Sequence, residues 1–399
     1  MQTIEQALQI ILSNTKNFGT ETISIHECMN RVLATDIFAD RDYPPFNRAT
    51  MDGYALNSEE FTNGKTNIFN IQDIIHAGNG KQVEIQRGNC VKIMTGAPIP
   101  KGANAVIRIE DTILKNNMVQ FNIEAVKPKQ NIAIQGEDAK KGDLVIKKGK
   151  QLNSNSIALL AVTGQNVIQV KKLPSVALVS TGNEIVPVDS PILSHQIRDS
   201  NVFSLKSSLE KYKITCLKTS LVEDDKLALQ TILHSYLNKD LLIISGGVSK
   251  GDADYVPEVL KSLGVNEIFH RVAIKPGNPL WFGKMPNGGV VFGLPGNPIS
   301  VQVGFKVFIE PYLRKCLEMP LIEPLYLPLF GEKNKKTKFT EYFPCKLTNE
   351  TMKTGLIPNR MNTSGDISTT NGSDGIAIHP EEIETINKND IIAFYFWNH

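Results

Sequence analysis

Leu241-Leu242-Ile243-Ile244-Ser245-Gly246-Gly247-Val248-Ser249-Lys250-Gly251-Asp252-Ala253-Asp254-Tyr255-Val256 runs from four apolar residues into a turn of small residues and acids. The apolar run, half of it β-branched, reads as a short strand buried on both faces of a parallel sheet. An apolar-periodic helix follows over residues 255–263, so the turn is a strand-to-helix loop. Ser245, Gly246, Gly247, Ser249 and Gly251 let the backbone approach a ligand closely, and their N–H groups and hydroxyls suit an anion such as phosphate. Asp252 and Asp254 beside that nest would repel a bare phosphate, a conflict that a divalent cation between them resolves. An ordinary βα turn with solvated acids fits the same residues, and the stretch alone does not separate the two.

Working outward, strands alternate with helices from residue 176 to 313. A strand over 176–179 leads into Ser180-Thr181-Gly182-Asn183-Glu184. Next come a helix over 200–209, a strand over 214–221, and a helix over 224–236 capped by Asp224 or Asp225. Downstream, Lys275-Pro276-Gly277-Asn278 and Pro295-Gly296-Asn297 are turns at strand edges, and a long apolar helix spans 299–313. This succession predicts a three-layer α/β domain on a parallel sheet. Loops at the carboxyl ends of its strands converge on one crevice. Thr181, Gly182, Glu184 and the Ser245-Gly246-Gly247 turn bring backbone donors and an acid to it. Lys275 brings a cation and Asn297 an amide, with Arg271 four residues before Lys275. Such a set suits an anionic ligand whose phosphate is bridged by a metal.

The flanking regions have a different texture. Thr3 with Gln6 forms a capping-box pattern ahead of an apolar stripe at Ile4, Ala7, Leu8, Ile11 and Leu12. Between the rigid Tyr43-Pro44-Pro45 loop and Gln135, short alternating runs are split by Gly, Asn and Pro, which predicts an all-β insert. Asp52, Thr95 and Asp138 lie in or beside this insert; turn capping accounts for such residues as readily as chemistry does. Pro320, Pro324 and Pro328 read as a linker to a small C-terminal β-barrel or sandwich. Sequence alone does not say which domain the first helix packs on.

Composition narrows the function. The 399 residues are 41% hydrophobic and 21% charged, ordinary for a soluble protein of several domains. Lys and Arg number 43 against 41 Asp and Glu, a balance with no general attraction to nucleic acid or membrane. Five cysteines lie far apart, without a Cys-x-x-Cys pair, which argues for a reducing cytoplasm rather than a zinc site or disulfide framework. There is no apolar run long enough to span a membrane and no signal-peptide pattern. A Gly-x-Ser-x-Gly turn or Ser-His-Asp order is also lacking.

Seven motifs occur in a characteristic order: Thr50-Met51-Asp52-Gly53-Tyr54-Ala55, Met94-Thr95-Gly96-Ala97, Gly136-Glu137-Asp138, Ser180-Thr181-Gly182-Asn183-Glu184, Ser245-Gly246-Gly247-Val248-Ser249, Ile274-Lys275-Pro276-Gly277 and Gly293-Leu294-Pro295-Gly296-Asn297-Pro298. Together they resemble the molybdopterin molybdenumtransferase family, which includes bacterial MoeA and the gephyrin E domain, over essentially the whole chain. The resemblance implies a molybdenum insertase that takes adenylated molybdopterin and molybdate and releases AMP in a Mg²⁺-dependent step. It implies a cytoplasmic homodimer whose cleft is completed by the partner's β insert, working beside a molybdopterin adenylyltransferase. It also implies a division into 1–20 with 171–318 for the α/β domain, 21–42 with 138–170 for a linking α+β domain, 43–137 for the insert and 319–399 for the C-terminal β domain. Asp52, Thr95, Asp138, Glu184, Asp224, Asp254, Arg271 and Lys275 match positions the family uses for activity. Ser300 and Ser364 match positions near molybdate, and Asp254, with Asp224, Asp252 and Glu184, is the expected Mg²⁺ set. The family usually has a second lysine where this chain has Asn278, and an arginine where it has Pro344, so weaker molybdate binding is expected, with Arg271, Ser300, Ser364 or Arg360 compensating. Other readings are a molybdopterin adenylyltransferase, a non-catalytic molybdopterin-binding scaffold, and a metal-dependent phosphohydrolase.

Overall fold

The computed structural model describes the chain except for residues 65–66, 79, 217, 250–253, 351–352 and 398–399. Gly251 and Asp252 therefore lie outside the described residues. Two compact units emerge: Met1–Ala34 with Gly149–Asn153 and Ile168–His399, and Thr35–Lys148 with Ser154–Val167.

In the first unit a six-stranded sheet is built from β1 (Val176–Thr181), β2 (Lys218–Val222), β3 (Leu241–Ser245), β4 (Asn266–His270), β5 (Trp281–Lys284) and β6 (Val290–Leu294), in the order β2-β1-β3-β6-β5-β4. β2, β1, β3 and β6 pair in parallel, whereas β5 pairs antiparallel with both its neighbours. The expected parallel sheet is thus a mixed one, reversed at β5. The reversal follows from the short connection between β5 and β6, Met285 to Gly289, which makes a hairpin and leaves no room for a crossover helix.

Alternation along the strands produces three layers. Val176, Leu178, Leu241 and Ile243 face one core with Val202, Leu205 and Leu209 of the helix Asn201–Glu210 and with the long helix that begins at Pro298. Ala177, Val179, Leu242 and Ile244 face the other, with Leu229 and Leu233 of the helix Lys226–Tyr236 and Val256, Val259 and Leu260 of the helix Val256–Ser262. The first helix, Ile4–Ser13, has the full Thr3–Gln6 capping box and buries Ala7 and Ile11 in the first of these cores. The expected long helix continues to Cys316 and is interrupted by a π-helical turn, Phe305–Ile309, that buries Lys306 against Glu310 (2.7 Å).

The C-terminal segment forms a second sheet, ordered Ile274–Lys275, Thr340–Glu350, Gly375–His379, Ile391–Phe396 and Leu325–Pro328, with Lys353–Pro358 paired to Thr340–Glu350. A bridge from Leu329 to Leu356 links its far strand back to Lys353–Pro358, giving a barrel-like closure around Phe343, Leu356, Ala377 and Phe394. Pro328 ends an edge strand rather than lying in a linker, a position where the missing N–H is tolerated. Tyr342 and Ile376 join the α/β core, so the barrel is packed onto that domain.

The second unit carries the β insert, a six-stranded sheet ordered Ala105–Arg108, Gly53–Leu56, Asn89–Ile93, Ile68–Ile75, Met118–Phe121, Thr112–Lys115. Its faces bury two small cores, one around Ile75, Val91 and Val106, the other around Tyr54, Phe69 and Phe121. Gly53 is required by close approach: a Cβ there would lie 1.9 Å from the Ile107 carbonyl oxygen.

Candidate active site

The carboxyl ends of β1, β2, β3 and β6 are level, with Ser180 opposite Ser245, Ser245 opposite Leu294 and Thr181 opposite Val222. The loops leaving them border a cavity of about 1230 Å³, somewhat larger than the roughly 300–1,000 Å³ usual for one small-molecule ligand. Gly246 and Gly247 adopt positive φ (97° and 64°) and press on β1. A Cβ on Gly246 would lie 2.3 Å from the Thr181 carbonyl oxygen, and one on Gly247 2.7 Å from Thr181 Oγ1. The Gly246 N–H donates to Leu294 O and that of Gly182 to Val222 O. These two N–H groups are therefore spent on the sheet, and what their glycines provide is close approach, Gly246 to Thr181 and Gly182 to Glu184.

Thr181, Gly182, Glu184, Asp224, Ser249 and Asp254 line the cavity. Asp224 follows β2, fixed by its N–H donating to Asn183 Oδ1 (2.9 Å). Burial pushes its carboxyl up, the Thr181 hydroxyl pulls against that, and the Glu184 and Asp254 carboxylates add to the rise. Among the described residues, Asp224 Oδ1 and Thr181 Oγ1 are buried without a well-formed hydrogen bond, although the Thr181 hydroxyl lies close enough to favour the charged Asp224 carboxyl. An unsatisfied carboxylate oxygen among two further acids fits a hard cation. Among the described residues no three His, Cys, Asp or Glu side chains converge into a metal cage. Mg²⁺ suits that arrangement, since it is commonly held by one or two carboxylates together with substrate phosphate and water.

Lys275, Pro276, Gly277, Asn278, Asn297, Ser300, Ser364, Lys333 and Glu341 also line the cavity. Lys275 pairs in register with Glu341 in the parallel pair at the edge of the C-terminal sheet. Glu341 is 2% exposed and accepts from Lys333 Nζ (2.8 Å, Oε1) and Lys275 Nζ (3.3 Å, Oε2). Burial pushes the Glu341 carboxyl up, but the two lysines outweigh it and hold the group below its ordinary value. Asn278 Nδ2 is turned onto Val272 O (2.6 Å), and Asn297 Nδ2 donates to Ser364 Oγ (2.8 Å).

Some expected residues do not reach the cavity wall. Ser245 is buried behind it and accepts from Asn201 Nδ2 (2.8 Å), which also holds Gly296 O (2.7 Å). Arg271 takes positive φ (78°), bonds through its backbone to Leu280 and Gln2, and leaves Nε buried without a partner. Arg360 is likewise absent from the lining. Asp52, Thr95 and Asp138 belong to the second unit. There, Asp52 Oδ1 accepts from both the N–H and the hydroxyl of Thr95 (2.7 Å each), which lowers the Asp52 carboxyl. The Asp138 N–H donates to Tyr43 O, and its side chain is exposed. Asp52 is thus a turn cap as well as a candidate for chemistry.

Residues 2–164 match the family described as MoeA N-terminal region (domain I and II), and residues 177–315 match a probable molybdopterin binding domain. A molybdopterin molybdenumtransferase from Staphylococcus epidermidis is 32% identical, aligned over 91% of this chain and 88% of its own. The one from Synechocystis sp. is 31% identical over all of both chains. This chain belongs to the molybdopterin molybdenumtransferase family. A solved relative, the molybdopterin biosynthesis moeA protein from Pyrococcus horikoshii, superposes with a TM-score of 0.83 at 28% identity, covering 99% of this chain and all of that one.

Within the family frame, Lys333 and Asn201 are the wall and support residues that motif reading missed, and Glu341, the acid ahead of Tyr342-Phe343-Pro344, holds the lysines of that wall. Lys333 sits in a lysine-rich run, Lys333 to Lys338, which reads as a solvated surface. A sequence signal for the pairing is Glu341 itself, an acid beside the apolar Tyr342 and Phe343 that needs a cation once buried.

Proposed function

We propose that this protein is a molybdenum insertase, transferring molybdenum from molybdate to adenylated molybdopterin with Mg²⁺-dependent release of AMP. Family membership supports a role in molybdenum cofactor biosynthesis as a transferase. The observation that carries the finer reading is the division of one cavity into a carboxylate side around Asp224 and a lysine side around Glu341. A ligand with a phosphate linkage and a separate small oxyanion needs both. On the carboxylate side, Asp224 with one of its neighbours, Asp254 or Glu184, would hold Mg²⁺, whose charge offsets that of the phosphate linkage. Thr181 Oγ1 is a hydroxyl placed to bond a ligand, and Gly246 and Gly247 approach Thr181 closely. On the other side, Lys275, Ser300 and Ser364 position the oxyanion.

The active form in this reading is a cytoplasmic homodimer in which the partner's Asp52, Thr95 and Asp138 complete the cleft, supplied by a molybdopterin adenylyltransferase. No helix among the described residues is long and apolar enough to cross a membrane. Product analysis tests the function. The purified protein is incubated with adenylated molybdopterin, molybdate and Mg²⁺, and the product is added to a cofactor-free molybdoenzyme. Reactivation together with AMP is expected. AMP without reactivation indicates a phosphohydrolase, consumption of ATP on molybdopterin an adenylyltransferase, and binding without turnover a scaffold.

A further inference from the structure

Asn278 leaves the turn after Lys275 without a second positive charge, and its amide is already committed to Val272 O. The C-terminal barrel puts a different cation on the same wall. Lys333, in the short strand Lys333–Asn334 paired to Thr385–Ile386, reaches Glu341 Oε1 at 2.8 Å and lies over the Phe343 ring at 5.3 Å. Its side chain is 25% exposed and lines the cavity, as does that of Lys275. Two ammonium groups on one buried carboxylate leave one full positive charge uncompensated at that wall.

We propose that Lys333, held by Glu341 beside Lys275, is the second cation of a pocket for a tetrahedral oxyanion. The inference deepens the reading of molybdate as substrate and rests on it. Glu341 acts here as a positioning residue: it fixes both lysines by their terminal nitrogens while its own charge cancels only one of them. The remaining charge suits a dianion, which draws charge-assisted hydrogen bonds from both lysines and neutral ones from Ser300 and Ser364. Lys335, two residues on, does not share this role, because its ammonium is bound to the carbonyls of Phe339 and Pro380.

Molybdate binding to the full-length protein, measured by calorimetry without pterin, tests the assignment. Lys333→Gln is expected to weaken molybdate binding about tenfold, the loss of a charge-assisted bond in favour of a neutral one, and to raise the half-saturating molybdate for AMP release in parallel. Affinity for adenylated molybdopterin should stay within about twofold. Lys333→Arg keeps the charge and should retain most of the affinity, which separates a charge effect from damage to the barrel. Unchanged molybdate affinity in Lys333→Gln, or equal loss in Lys333→Arg and Lys333→Gln, overturns the proposal, as does a wild-type protein that binds no molybdate. If Lys333 governs molybdate binding but AMP release ignores molybdate, the insertase reading fails while the assignment of Lys333 stands.

Discussion

At Gly246 a methyl group has nowhere to go, and at Asp224 a buried carboxylate oxygen has no cation paired with it among the described residues. The first is a limit on shape. Gly246→Ala would place Cβ 2.3 Å from Thr181 O at a φ of 97°. It should destabilise the protein by more than about 1–2 kcal/mol, read from the denaturation midpoint, because both strain and collision act together. The second is a liability kept for a ligand. Asp224 Oδ1 is buried near two other carboxylates, and burial with their repulsion outweighs the Thr181 hydroxyl, so removing its charge relieves the fold. Asp224→Asn should unfold at the same or a higher temperature while losing most Mg²⁺-dependent AMP release. A lower melting temperature would mean that Asp224 is a structural group. Both residues stand in turns legible from sequence, Gly246 because only glycine allows that approach and Asp224 because it precedes a helix cap. The unsatisfied oxygen was not legible, since it depends on what three separate loops do together.

Whole elements were legible where one period dominates. The strand Leu241–Ser245 and the helix Ile4–Ser13 have the expected register and cap, because their apolar spacing admits one conformation. Less legible were elements set by tertiary partners. The bridge of Ile274–Lys275 to Thr340–Glu341 joins segments 65 or more residues apart, and nothing local announces it. This bridge makes stability depend on acid. Glu341, held below its ordinary value, contributes stability that is present above the unfolded carboxyl range near pH ~4.3 and is lost as pH falls through the depressed folded value. Melting temperatures measured down the acid range should fall more steeply in the wild type than in Glu341→Gln. The interrupted helix carries a second prediction. Lys306 and Glu310 are 5% and 7% exposed, and Tyr212 Oη donates to Glu310 Oε1 (2.8 Å). Lys306→Met leaves a buried carboxylate without its cation and should cost about 3–5 kcal/mol in denaturant unfolding. Lys306→Met with Glu310→Leu should recover much of that.

For the molecule as a whole, the alternation of strand and helix over residues 176–313 made the three-layer domain readable, and the short split runs of the insert made that unit readable as β. The reversal of β5 was hidden in a hairpin whose turn resembles the other glycine turns. In the insert, Asp52 and Thr95 bond each other. In the homodimer reading, Asp52→Ala and Lys275→Ala chains disable different halves of each shared cleft. Each mixed heterodimer should then regain up to about half of the wild-type dimer's activity, from one intact cleft of two, whereas each mutant homodimer stays inactive. No recovery on co-expression would contradict the shared cleft. The most direct test of the insertase reading is the time course of AMP release from adenylated molybdopterin with Mg²⁺, run with and without molybdate. The account predicts AMP only when molybdate is present, rising to one equivalent per pterin; release at the same rate without molybdate would contradict it.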